Sequence, residues 1–162
     1  MELREDPKVF VNGDYLIGYT TSFRMGQILR YQAELPKPVG VHHEFMVHTF
    51  IPAIRDAFQR EGFMKAMNRG EDNRGASWSE NGQDAGGRFV VASGGQLFLV
   101  DNDFQVGIPK RSYLAIGSGA EVAYGALYAS RGLGLRERAE LALSAAAEHT
   151  KCVRPPFTMV EN

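Results

Sequence analysis

Helical segments in this sequence occur as neighbouring pairs, each pair set behind a run of strand-type segments, and that order limits the folds open to the chain. Residues 8–11 and 15–20 are rich in β-branched and aromatic side chains, and Asn12-Gly13 lies between them. Asn-Gly suits the positive φ angles of a two-residue turn, so the chain is expected to open on a hairpin. Residues 23–35 follow with Met25, Ile28, Leu29 and Leu35 at helical spacing, Ser22 as the candidate N-cap, and Pro36 and Pro38 as the stop. A second helical pattern runs over 42–63, with Val47, Ile51, Ile54 and Phe58 on one apolar face. Pro52 lacks an amide donor and crowds the carbonyl of His48, which predicts a kink or two shorter helices.

After a Gly-, Asn-, Asp- and Ser-dense stretch at 70–87, strand-type runs return at 88–93, 96–100, 104–107 and 112–116. Two more helices close the chain. The first covers 119–130, with Ala120, Ala123, Tyr124, Leu127 and Tyr128 on one face. The second covers 135–150, with Ala139, Ala142, Leu143 and Ala146, and Gly132 and Gly134 separate the two. A doubly wound parallel sheet needs helices alternating singly with strands, and these do not. Two antiparallel sheets packed face to face, with a helix pair outside each, take up every element. The expectation is an α+β fold in one domain over 1–162, with 70–87 as a flexible Gly-rich loop around Trp78. Pro155-Pro156 marks an irregular or edge-strand tail.

Composition narrows the function classes. With 162 residues and 44% hydrophobic side chains the chain can bury a sizeable core. A net charge of -1 gives no broad electrostatic footprint for nucleic acid or an acidic membrane. No nucleic-acid and no membrane partner is expected on that ground. The single cysteine, Cys152, cannot form an internal disulfide, and the charged first residues carry no apolar signal-peptide run. A cytoplasmic setting is expected.

Three segments carry a resemblance. The run from Lys8 through Val-Phe-Val-Asn-Gly-Asp-Tyr-Leu-Ile-Gly-Tyr-Thr-Thr-Ser is similar to the lysine, turn, strand and small-residue segment of proteasome β-subunits and HslV. Leu97-Phe-Leu-Val-Asp-Asn-Asp-Phe-Gln-Val looks like that family's hairpin around an acidic turn. Tyr113-Leu-Ala-Ile-Gly-Ser-Gly-Ala-Glu closely resembles its Ala-Ile-Gly-Ser-Gly strand-to-helix junction. The chain thus resembles N-terminal-nucleophile (Ntn) hydrolases of the proteasome type, including those of bacteria and bacteriophages, over nearly its whole length. The resemblance implies a four-layer αββα sandwich, a ring-forming homo-oligomer and threonine-type peptidase chemistry. It also implies the expected partner, a peptide substrate or a protein, and the setting, a bacterial cell or a phage-infected host. In that chemistry an N-terminal threonine is the nucleophile, and its own α-amino group is the general base.

By this resemblance Lys8 matches the active-site lysine, and Ser118 matches the serine that supports the terminal amine. Thr21 falls at the position whose amide serves the oxyanion, where the family usually has glycine. The nucleophilic threonine and the acidic residue of the Ala-Asp-Ser segment after it belong upstream of Lys8, and no counterpart is present. The later Asp and Ser of the family's site are not recognisable around 151–156. The chain as written is therefore expected to lack threonine-peptidase activity, as the truncated form of an enzyme whose first hairpin is missing or as a binding or assembly module. No cofactor and no metal are expected.

Each of these residues also has a plainer account. Lys8 beside a strand can be a solvated charge. Ser118-Gly119-Ala120-Glu121 is a Ser-x-x-Glu capping box, whose hydroxyl would satisfy the Glu121 amide. His42, His43 and His48 lack a carboxylate or thiolate partner at metal-ligand spacing and read as a solvated helix start, with Glu44 and His48 as a surface pair.

Overall fold

A computed structural model describes residues 5–40, 42–63 and 87–161. The hairpin forms where expected, as β1 (Val9–Asn12) and β2 (Tyr15–Tyr19), with Asn12 paired to Tyr15 and Gly13 at φ 59. Helix α1 (Phe23–Tyr31) starts on Ser22, whose hydroxyl accepts from the Met25 amide at 3.2 Å. It stops four residues short of the expected end. The Asn12 side chain donates to the carbonyls of Leu29 (2.8 Å) and Ala33 (3.3 Å), and the Gln32 and Ala33 amides both turn back to Ile28. The hairpin thus closes off the helix before the prolines do.

The second helical region is continuous. A short α2 (His43–Phe45) runs into a π-helical turn over Met46–Phe50 and then into α3 (Ile51–Arg60). The Ile51 amide bonds the Met46 carbonyl, five residues back. The expected kink at Pro52 is realised as this wide turn, which moves the backbone past the proline without breaking the helix. The extra residue also rotates the apolar face. Met46 and Phe50 are buried beside Ile51, Ile54 and Phe58, whereas Val47, assigned to the core from its spacing, is exposed. The expected Glu44–His48 pair does not form; Glu44 lies 3.7 Å from His42. His43 bonds the Val106 carbonyl at 3.0 Å.

Strands β3 (Phe89–Ser93), β4 (Gln96–Val100) and β5 (Val106–Gly107) extend the hairpin into one antiparallel sheet of order β1-β2-β3-β4-β5. Phe104, expected in the last strand, sits instead at φ 67 in the turn before it, where its amide bonds Asp101. Residues 112–116, expected as a further strand, join no ladder among the described residues; an extended segment becomes a strand only with a partner. The chain ends on α4 (Ala120–Ala129) packed against α5 (Leu135–His149). Residues 70–86 of the expected flexible loop, with Trp78, lie outside the described residues. Among the described residues, no helix is long and apolar enough to cross a membrane.

Register places the core on one face. Phe10 pairs with Ile17, Ile17 with Val91, and Val91 with Phe98, so one buried row crosses four strands. Together with Tyr15, Tyr19, Phe89 and Val100 this row packs under Met25, Ile28 and Leu29 of α1 and Ile54 and Phe58 of α3. Tyr15 is buried there, with its hydroxyl donating to the Pro36 carbonyl at 2.7 Å. Burial, and secondarily the Asp14 charge, push its pKa up from 10.0 to about 12. A raised phenol pKa favours the protonated folded form. Its contribution is present below pH 10 and is lost as pH rises through about 12. We predict a fall in folding stability over that window that is shallower in Tyr15→Phe; identical pH profiles for the two proteins would contradict this account.

Candidate active site

The three residues matched to the active site come from separate stretches of chain. Lys8 precedes β1, and its carbonyl accepts the Tyr19 amide at 3.0 Å, extending the ladder by one bond. Its ammonium, otherwise exposed, lies 4.8 Å from the centroid of Phe23, the first residue of α1. The charge therefore points across the end of the hairpin toward the start of that helix.

Between β2 and α1 the chain reverses over Thr20, Thr21 and Ser22. The Thr20 amide bonds the carbonyl of Arg88, just ahead of β3, at 2.9 Å, and the Ser22 amide returns to the Thr20 carbonyl at 2.9 Å. That closes a γ-turn centred on Thr21, whose φ of 69 is the rare and strained form for a residue with a side chain. Among the described residues the Thr21 amide donates to no carbonyl. Thr21 is exposed, and its hydroxyl meets the Thr20 hydroxyl at 3.4 Å. Glycine would hold this turn without strain, and an exposed threonine loses little packing when truncated. Thr21→Gly is accordingly predicted to raise stability by about 0.5–1 kcal/mol, read as a higher urea midpoint; a lower midpoint would mean that the threonine side chain holds the turn.

The third stretch arrives beside the same turn. Gly117, at φ 103, passes so close to Thr20 that an added β-carbon would stand 3.3 Å from the Thr20 methyl. Ser118 comes next and is exposed. The expected capping box is not made. The N-cap of α4 is Gly119, without a side-chain cap bond, because Gly119 is pressed against Ala146 and Val153 and sets where the helix can start. Sequence reasoning missed a fourth contributor, Gly87. A β-carbon there would overlap the Thr20 carbonyl oxygen, so only glycine lets the strand entering β3 pass behind the turn. Its signal was the Gly86-Gly87 pair ahead of a strand.

Lys8 and Thr21 thus share one end of the sheet, and Gly117 brings the Ser118 junction against Thr20. The arrangement offers an exposed cation, a strained turn whose Thr21 amide donates to no carbonyl among the described residues, and a small-residue junction with an exposed serine. It can stabilise developing negative charge on an oxygen. Among the described residues no group of three or more His, Cys, Asp or Glu side chains is placed to hold a metal ion.

No family model and no curated protein sequence matches this chain. Solved structures do. Thiobacillus denitrificans BPH in complex with epoxomicin is 22% identical with a TM-score of 0.58, and the match covers 90% of this chain and 73% of that one. A second Thiobacillus denitrificans BPH structure is 24% identical with the same TM-score and coverage. Eukaryotic HslV from Trypanosoma brucei is 19% identical with a TM-score of 0.50, covering 88% of this chain and 72% of that one. The chain shares the HslV-like, proteasome-type fold.

Proposed function

We propose that this chain is a proteasome-like Ntn-hydrolase protein whose ancestral chemistry is threonine-type hydrolysis of peptide or amide bonds. In this reading Lys8 eases formation of the nucleophilic oxygen, the Thr21 amide binds the oxyanion, and Ser118 supports the terminal amine. The observation that carries it is the strained turn. A position usually held by glycine in the family takes a positive φ here, and among the described residues its amide donates to no carbonyl.

The nucleophile is then supplied from outside the described residues, as an N-terminal threonine ahead of the Lys8 hairpin. The residues given ahead of Lys8 include no threonine, serine or cysteine, so these 162 residues by themselves are proposed to be inactive as a peptidase. A form carrying a threonine-first segment should bind epoxomicin, the molecule held by the Thiobacillus denitrificans protein, and the 162-residue polypeptide should bind it far more weakly. Equal calorimetric affinity of the two forms would remove the N-terminal threonine from the account.

The two-sheet sandwich belongs to the same proposal. The outward face of the sheet carries Val11, Leu16, Ala92 and Leu97 in one cross-strand row and Val9, Gly18, Val90 and Leu99 in the next. Strands reading Tyr-Leu-Ile-Gly-Tyr and Phe-Val-Val-Ala-Ser are apolar on both faces, as strands buried on both sides are. A second sheet, including residues 112–116 and the first hairpin, would cover those rows. The homo-oligomer and the cytoplasmic setting follow from the family reading alone.

A second reading is a catalytically silent binding or assembly module. The observation favouring it is a surface of paired arginines and tyrosines on the α4–α5 layer.

A further inference from the structure

Three arginines and two tyrosines stack together where α4, α5 and the segment leading into α4 meet. Arg111 donates to the Tyr113 hydroxyl at 2.8 Å, and its guanidinium lies 5.9 Å from the Tyr113 ring and 5.2 Å from the Tyr128 ring. Arg131 covers Tyr128 at 4.1 Å. Arg138 approaches Tyr113 at 5.2 Å. Three cations thus share two aromatic faces, and among the described residues none of them is ion-paired with a carboxylate. Cation–π contact attracts each guanidinium to a ring but does nothing to relieve their mutual repulsion.

Arg138 sharpens the point. It occupies the buried stripe of α5 with Ala142 and Ala146 and is 9% exposed. One terminal nitrogen donates to the Leu127 carbonyl at 2.9 Å, while its Nε is buried with no hydrogen-bond partner. A buried guanidinium with an unused donor and no counter-charge is costly to keep unless something outside the described residues answers it.

We propose that this face of the α4–α5 layer is a docking site for a protein segment bearing carboxylates. The guanidinium fork matches a carboxylate bidentately, and stacked arginine and tyrosine are the side chains that dominate the energy of protein–protein contacts. The flanks favour a polypeptide over a nucleic acid. Leu133 is 41% exposed and Leu135 82% exposed beside Arg131 in the chain, and they offer an apolar partner something to bury. The net charge of -1 supplies no field to steer in a long polyanion.

The test uses the whole chain and three fluorescent probes: a short peptide alternating Glu and Leu, the same peptide with Gln for Glu, and oligothymidylate. The acidic peptide is expected to bind best and to weaken with added salt. Its affinity is expected to fall at least about tenfold in the Arg111→Gln/Arg131→Gln variant, since each charge-assisted bond lost costs about that much. Both side chains are exposed, and an unchanged circular dichroism spectrum would show that the variant folds. Absent binding, equal binding of the Gln peptide, tighter binding of oligothymidylate, or unaltered affinity in the variant would each overturn the proposal.

Discussion

Replacing Phe98 by alanine is expected to lower folding stability by about 3–5 kcal/mol, a large part of what a domain of this size possesses. Phe98 is fully buried on the fourth strand, and its partner Val91 and the next strand's Ile17 are buried in the same cross-strand row. Helices α1 and α3 close over that row, so the surroundings have little freedom to collapse into the space an alanine would leave. Its neighbour Leu97 points to the other face and is only half-buried. Leu97→Ala should therefore cost clearly less, about 1–1.5 kcal/mol for the partial loss of burial. The pair also probes the proposed second sheet. In a form where a second sheet covers Val11, Leu16, Ala92 and Leu97, the Leu97 penalty should approach that of Phe98. Urea unfolding of both variants, with the slope checked for constancy, gives the comparison; equal penalties in the 162-residue polypeptide would contradict the one-sided core described here.

The second large effect is catalytic. In a form that begins with a threonine nucleophile, Lys8→Met should lower kcat by about 100- to 1,000-fold, the range for removing one preorganised charge from an active site. Methionine keeps the length and apolar body of the side chain, and Lys8 is exposed, so folding should be little affected. The lysine's contact with Phe23 fixes the direction of its charge across the end of the hairpin. A loss confined to KM would place Lys8 in substrate binding instead.

Much of the fold was legible in the residues, for identifiable reasons. Asn12-Gly13 specifies its turn through local backbone preference, and the hairpin register follows from it. Ser22 caps a helix because the residues after it cannot satisfy their own amides. Decisions taken by distant atoms were hidden. The π-turn depends on an Ile51–Met46 bond that spacing alone does not encode, and it exchanged Val47 for Met46 in the core. The segment 112–116 has strand-type side chains, but pairing requires a neighbour that local sequence does not name. Arg138 on an otherwise small-residue stripe was the visible sign of the arginine–tyrosine surface, whereas its orphaned Nε shows only in three dimensions.

The site divides in the same way. Lys8, Thr21 and Ser118 are proposed from resemblance, and the Ser118 junction meets the Thr20-Thr21 turn because Gly117, like Gly87, passes close to Thr20. Thr21 holds a positive φ, a backbone conformation that glycine takes without strain.

We propose that this end of the sheet is the active site of a proteasome-type hydrolase, completed by an N-terminal threonine from outside the described residues. Steady-state hydrolysis of a fluorogenic peptidyl-aminocoumarin tests it most directly, measured side by side for the 162-residue polypeptide and for a form extended to begin with a threonine segment. The account predicts no turnover by the first and clear turnover by the second. Turnover by the 162-residue polypeptide that is lost in Lys8→Met, or silence from both forms, would contradict it.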